Sequence, residues 1–261
     1  HLGTYGGLSA GGPTDSNTKF LVNFDRGGGT GPSYFEDSAN IGGSGHKVDK
    51  VGHVLIKASP YGDGKSAMKF DGSDDTLTIS SHADFNITAT FTIEFWVRPA
   101  ATDDALYSRS SVSTNQWNIS FSADKMNVSY YSTTSPTIDI WMHTGPDSIQ
   151  QDVWSHCAIV RDSSVWHLFI NGIERTTIVN TTGSSTTDVS GRFQYDIHIG
   201  SNWRSGSIWQ PFDGYFDEFR LVQGVAVYTG NFTVPTTRLA TTQSAGTNIA
   251  AITGSATKFL M

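Results

Sequence analysis

Apolar and polar residues alternate along this chain in short runs broken by turn residues, and no segment carries a convincing helical spacing. The alternation predicts strands over 20–24, 51–56, 67–70, 77–79, 91–97, 117–121, 126–131, 138–141, 153–161, 165–170, 173–179, 195–199 and 215–222. Turn dipeptides punctuate them at Asp71-Gly72, Asn171-Gly172 and Asp213-Gly214. Many short strands without helices predict an all-β fold, a two-sheet antiparallel β-sandwich. The clearest local element is a hairpin over 165–175, where Asn171-Gly172 tolerates the positive φ angles of a type I′ turn. In the strand over 92–98, Ile93, Phe95 and Val97 share the face expected to point between the sheets. Glu94, Trp96 and Arg98 share the other, expected to be partly wet.

The chain has 261 residues, enough for one large β domain with a sizeable core. Glycine is plentiful (27), whereas glutamate occurs only at Glu36, Glu94, Glu174 and Glu218, a balance that favours strands and tight turns over helices. The formal net charge of −7 arises mainly from scattered aspartates, and Lys and Arg form no block. A nucleic-acid partner needs clustered basic charge and is not expected. No apolar run is long enough to cross a bilayer, so membrane insertion is not expected either. Cys157 cannot form an internal disulfide, and its strand-like setting over 154–160 reads as that of a small buried hydrophobe. The absence of bridges points to a bacterial or phage source, where the Asn-x-Ser/Thr sequons at Asn86, Asn118, Asn127, Asn180 and Asn231 follow from composition.

Thr-Lys-Phe-Leu at 18–21 recurs at 257–260, each time after a Ser/Thr/Gly-rich stretch. The expected organisation is a linker at 1–17, one domain at 18–240, a second linker at 241–256, and at 257–261 the first strand of a following repeat. On that reading residues 257–261 do not pair within this domain, and deleting 245–261 leaves its melting temperature unchanged. Two edge strands of one sheet that happen to share a sequence are the alternative.

Five segments taken together resemble a known family. Residues 65–72 (KSAMKFDG) resemble its "G-x-S-A-x-x-F-D-G" hairpin, and 91–99 (FTIEFWVRP) match its "F-T-I-E-F-W-V-x-P" strand. Residues 154–161 (WSHCAIVR) resemble "W-x-H-x-A-x-V-R", 168–172 (LFING) resemble "L-Y-V-N-G", and 212–221 (FDGYFDEFRL) resemble "F-x-G-x-I-D-E-V-R-I". In this order they resemble the concanavalin A-like laminin G/pentraxin jelly-roll superfamily over about residues 18–240. Residues 225–235 are similar to an ending found in bacteriophage tail and fibre versions, with Val227 where that pattern usually has Arg. The resemblance implies a jelly roll; it does not by itself select among lectins, adhesion modules, hydrolases and spacers. It also implies one structural calcium ion, whose matching carboxylates here are Asp25 and Asp217.

Glycoside hydrolysis needs two carboxylates facing one cleft, and the adjacent acidic pairs here would diverge on a strand. The run Asp71-Gly72-Ser73-Asp74-Asp75 lacks the glycine and closing Glu of a calcium-binding loop and reads as a polar turn. Sugar recognition needs flat aromatic faces with hydrogen-bonding groups, and residues 201–210 supply them on an expected loop. Its ligand candidates are Asn202, Trp203, Arg204, Trp209 and Gln210. A second aromatic group comprises Tyr130, Tyr131, Trp141, Met142 and His143. The function expected is a non-enzymatic carbohydrate-binding or adhesion module, one repeat of a phage tail or fibre protein or of a bacterial surface protein. Its partners would be a glycan or host-cell polysaccharide, neighbouring repeats, other virion or surface proteins, and further copies of the chain, and its location the virion or cell surface. A structural virion spacer or decoration domain and a polysaccharide hydrolase are the alternatives.

Overall fold

The computed structural model describes residues 34–36, 46–58, 66–85, 89–100, 105–109, 116–131, 138–180, 195–204, 206–253 and 255–260. In chain order the strands begin with β1 (Tyr34–Glu36), β2 (Lys47–Val51), β3 (Leu55–Ala58), β4 (Ser66–Asp71) and β5 (Thr76–Ile79). After the short 3-10 helix η1 (Ala83–Phe85) come β6 (Phe91–Pro99), β7 (Ala105–Arg109), β8 (Gln116–Ser122), β9 (Lys125–Tyr131) and β10 (Ile138–His143). There follow β11 (Ser155–Asp162), β12 (Val165–Ile170), β13 (Ile173–Glu174), β14 (Thr177–Asn180) and β15 (Ile197–Ile199). The last are β16 (Asn202–Arg204), β17 (Ser207–Trp209), β18 (Asp213–Gln223) and β19 (Thr257–Leu260).

Two antiparallel sheets dominate, as the alternation predicts. One has nine strands in the order β1-β2-β5-β15-β7-β8-β9-β10-β14, and the other runs β13-β12-β11-β6-β18-β4-β3 with β19 added to β18. Their inner faces meet through residues such as Phe70, Phe91, Phe95, Trp117, Phe121 and Tyr130, all fully or almost fully buried. Two expected strands are divided. Residues 51–56 break at a turn whose Gly52 has φ +76°, separating β2 from β3. Residues 173–179 split into β13 and β14, which belong to opposite sheets, so the chain changes layer around Arg175 and Thr176.

A third layer was not legible as such. The segment after β18, expected in part to be a linker, packs on the outer face of the second sheet. Ala158, Val160, Phe169 and Val222 on that sheet meet Val227, Tyr228, Phe232 and Ile252 in a separate apolar cluster. Val227, the departure from the phage-type ending, is fully buried there, where an unpaired Arg would carry a large desolvation cost. Thr92 accepts a hydrogen bond from the Val227 amide at 2.9 Å and donates to the Val225 carbonyl at 3.0 Å, fixing the segment to β6.

This layer corrects the expectation that Glu94 is wet. Glu94 is fully buried, with Arg220 Nε donating to Oε1 at 2.8 Å, Tyr228 donating to Oε2 at 2.6 Å, and His156 Nε2 3.2 Å from Oε2. Burial alone would raise its pKa, but Arg220, His156 and Tyr228 together hold it down to about 2. A bulge in β18 between Asp217 and Arg220, with Glu218 at φ +59°, lets Arg220 pair directly opposite Glu94. Arg220 then reaches outward to the Ala240 carbonyl at 2.7 Å and Gln243 Oε1 at 2.8 Å.

The expected domain limits change for the same reason. Within 241–256, Gln243 pairs with Ile252, and Ile249 with both Tyr228 and Gly246; the stretch is a packed cover and not a linker. Residues 257–260 pair on this domain's own β18, with Arg220 opposite Leu260 and Leu221 opposite Phe259. Thr257 is buried and donates to the Thr241 carbonyl at 2.8 Å. An apolar strand next to the open part of the β18 edge completes that edge instead of waiting for another domain. The first copy, Thr18 to Leu21, lies outside the described residues.

Candidate functional site

The outer face of the nine-stranded sheet has no counterpart to the packed third layer among the described residues. Because side chains alternate along a strand, the residues that flank the core positions point away from it. Across the strands the register runs unbroken from Tyr34 through Asp49, Thr78, His198, Ser108, Asn118, Ser129 and Trp141 to Asn180. Thr78, Asn118, Ser129 and Trp141 keep part of their surface, whereas their strand neighbours Leu77, Ile119, Val128 and Met142 are buried in the core. Beside this row, Ser120, Asn127 and His143 form the next one on the same face. Between β15 and β10 the floor is therefore neutral and rich in amide and hydroxyl groups, while the charged Asp49–Lys47 pair lies farther along, on β2.

Aromatic rings stand at two places along it. Trp141 lies on β10. On β15, His198 is covered by Trp203, whose ring stacks on it with centroids 4.8 Å apart and planes 7° from parallel. Four strand spacings separate β15 from β10, about 19 Å. Thr78 Oγ1 lies 3.3 Å from His198 Nδ1. Burial lowers the His198 pKa to about 4 against a smaller opposing effect of Asp196, so a neutral imidazole underlies Trp203 near pH 7.

The expected loop over 201–210 is a two-stranded ribbon, with Asn202 opposite Trp209, Trp203 opposite Ile208 and Arg204 opposite Ser207. Its turn includes Gly206 at φ +82°. This register puts Trp203 and Trp209 on opposite faces of the ribbon, so the two rings do not make one platform. Trp203 is half-buried against His198, and Trp209 is 50% exposed. Gln210 is exposed at the ribbon's end, whereas Asn202 is buried and does not present itself to a ligand. The Arg204 side chain lies outside the described residues. Of the second aromatic group, Tyr130 and Met142 are core residues, and Trp141 and His143 face outward. Sequence reasoning missed the polar row, because only the strand register brings Thr78, Asn118 and Ser129 into line.

Among the outer-face side chains described, Asp49 is the one carboxylate in the register row, and it pairs with Lys47 at 2.6 Å. The buried Glu94 is committed to Arg220. Cys157 is buried, and burial pushes its thiol far above the usual range, which leaves it without nucleophilic character. Asp25 lies outside the described residues. Asp217 is buried, accepts a hydrogen bond from the Glu218 amide at 3.0 Å and faces Arg238 Nη1 at 3.6 Å. Of the implied calcium pair, then, the structure places only Asp217, next to the Arg238 guanidinium. In the Asp71 to Asp75 turn, Asp75 accepts hydrogen bonds from the His53 and Asp71 amides and Asp71 from that of Ser73, and one carboxylate oxygen each of Asp71, Asp74 and Asp75 lies within 4.8 Å of the others.

Among solved structures, the chain resembles domain 4 of AbnA, a GH43 extracellular arabinanase from Geobacillus stearothermophilus, in complex with arabinotriose. The TM-score is 0.52 at 18% identity, over 72% of this chain and 86% of that one. It also resembles the botulinum neurotoxin serotype D/C VPI 5993 binding domain, with a TM-score of 0.53 at 13% identity over 79% of this chain; the match spans about half (49%) of that chain. A third likeness is to the enzymatically active domain of bacteriophage CBA120 tailspike protein 2, with a TM-score of 0.50 at 14% identity over 68% of this chain and 28% of that one. No curated protein sequence matches significantly. The profile of the concanavalin A-like lectin/glucanases superfamily matches residues 71–227, more than half of the chain and the part that carries most strands of both sheets. The chain belongs to the concanavalin A-like lectin/glucanases superfamily.

Proposed function

We propose that this chain is a non-enzymatic carbohydrate-binding module that holds a polysaccharide across the outer face of its nine-stranded sheet. The observation that carries this reading is the neutral polar row between the Trp141 and Trp203 columns. Amide and hydroxyl groups match the hydroxyls of a sugar chain, and aromatic faces match the apolar faces of its rings. The distance between the columns accommodates several linked sugars, so an extended glycan suits the face better than a monosaccharide. The fold of an arabinanase domain solved with arabinotriose supports the same reading. The likenesses to a tailspike and to a toxin binding domain support a place at a virion or cell surface, in a phage tail or fibre or a bacterial adhesin. A single ion-paired carboxylate among the described side chains of the row does not supply the acid and nucleophile or base of glycoside hydrolysis.

A glycan array with the purified chain, followed by titration of the best ligand, tests the assignment. Trp203→Ala and Trp141→Ala should each weaken binding by about tenfold or less, since an aromatic contact contributes about 0.5–1.5 kcal/mol beyond its buried area. Trp209→Ala, on the opposite ribbon face, should have the smaller effect. Binding unchanged in both of the first two variants would remove this face from the account. A chain that binds no glycan favours the structural spacer, and release of reducing sugar would make it a hydrolase.

A further inference from the structure

His46, immediately before β2, and His82 and Asp84, after β5 and in η1, come together where β2 begins and β5 ends, away from the row proposed to bind sugar. Antiparallel pairing of β2 with β5 sets Val48 opposite Ile79 and so brings the two strand ends together. Phe85, fully buried, anchors η1 in the core, and Gln223 Nε2 donates to the Asp84 carbonyl at 2.7 Å, holding the helix to the end of β18. The His46 ring packs against Phe85 with centroids 4.4 Å apart and against His82 at 4.5 Å.

The three side chains bring one carboxylate and two imidazoles close enough to share an ion. Asp84 Oδ2 lies 3.4 Å from His46 Nε2 and 3.2 Å from His82 Nδ1. The Asp84 amide donates to that same His82 Nδ1 at 3.1 Å, a weak hydrogen bond within one turn that an ion bound at Nδ1 would replace. A zinc ion with bonds of about 2.0–2.1 Å at the tetrahedral angle sets its donor atoms about 3.3–3.4 Å apart, close to both measured separations. One ligand atom from each of the three residues lies within 4.8 Å of the others, so small side-chain adjustments bring them to bonding distance of one ion.

We propose that His46, His82 and Asp84 bind a divalent ion of zinc type, with water in the fourth position, clamping the start of β2 to η1. Two imidazoles and one carboxylate suit a borderline metal better than calcium, which prefers oxygen alone. The His46 side chain is 9% exposed, whereas His82 and Asp84 are 51% and 40% exposed, so an ion enters from the solvent side.

The test uses the whole chain stripped of metal and titrated with zinc chloride by calorimetry, with melting curves in zinc, in calcium and in chelator. A single high-affinity zinc event and a higher melting temperature in zinc are expected. His46→Gln removes a ring packed on Phe85 and His82, so the deciding variants are His82→Gln and Asp84→Asn. Each should weaken zinc binding by at least about tenfold, the lower end of what losing even an outer partner of a metal ligand costs, and abolish the zinc-dependent shift, while the metal-free melting temperature stays near that of the parent. No zinc binding, zinc binding unchanged in both variants, or a shift with calcium alone would overturn the proposal. The glycan assay is independent of it.

Discussion

Glu94 shows how one residue can be read correctly for strand position and wrongly for environment. Alternation places it opposite the core face of β6, and a lone carboxylate on an outer face belongs in water. What the alternation does not carry is Arg220, which becomes its partner through a bulge far along the chain, and Tyr228, which arrives with the third layer. The arrangement makes an asymmetric demand. Arg220→Met strands a buried carboxylate and should destabilise the fold by about 3–5 kcal/mol, whereas the double variant Glu94→Gln/Arg220→Met should recover part of that loss. The sign of the pH dependence follows. Glu94 is held below its unfolded value near 4.5, so its contribution is fully present above that pH and fades as the pH falls towards about 2. His198 is also depressed, from 6.5 to about 4, so the folded state resists a proton that the unfolded chain accepts. Its contribution is present above pH 6.5 and is lost as the pH falls through 4. Urea melts between pH 7 and pH 2 should lose stability in two windows. His198→Gln should shrink the upper one, which His46 and His143, also depressed by burial, share, and stability flat from pH 7 to pH 5 would contradict the buried neutral imidazole.

At the scale of elements, local signals succeeded where a strand's neighbours follow directly in the chain. The Asn171-Gly172 turn is one case: both residues have positive φ, +50° and +76°, and β12 pairs with β13 across it. A second requirement at Gly172 is invisible to turn statistics. A Cβ there would lie 2.1 Å from the Phe232 carbonyl oxygen, because the third layer crosses this turn and the Phe232 amide donates to the Gly172 carbonyl at 2.9 Å. Gly172→Ala should therefore cost more than the backbone strain of about 1–3 kcal/mol alone. Chemical denaturation would measure it, with Gly206→Ala, a positive-φ glycine with open space around it, as the control for strain without a clash. The strong motifs over 91–99, 154–161 and 212–221 became β6, β11 and β18, which adjoin in one sheet. Strands β7, β16 and β17 escaped notice because each is short and takes its order from partners. The candidate site was half legible for the same reason. The aromatics at 141, 203 and 209 stood out by composition, but their faces and the polar row between them depend on register, which one sequence does not display.

For the whole molecule, the duplicated Thr-Lys-Phe-Leu led to the wrong boundary although the residues were correctly singled out as a strand. A Gly/Ser/Thr-rich stretch without apolar periodicity reads as a linker, yet a cover needs few anchors when the sheet beneath is already apolar. Here Ile249 and Ile252 suffice, together with backbone pairing at Tyr228 and Gln243. Removing residues 245–261 would strip Ile249, Ile252 and Ala256 from the outer cluster, delete β19 from β18 and remove the Ile252 pairing of Gln243, which holds Arg220. Fully burying one Ile side chain contributes about 1.5–3 kcal/mol, so losing the cover and the strand together should lower the melting temperature sharply. This outcome is opposite to the one a linker implies. A milder cut sharpens the test, because deleting 257–261 removes β19 alone and leaves Ile252 in place. If β19 belongs to this domain, the short deletion should cost stability and the longer one more. Equal melting temperatures for all three chains would mean that the repeat, and not this sheet, is where the final strand belongs.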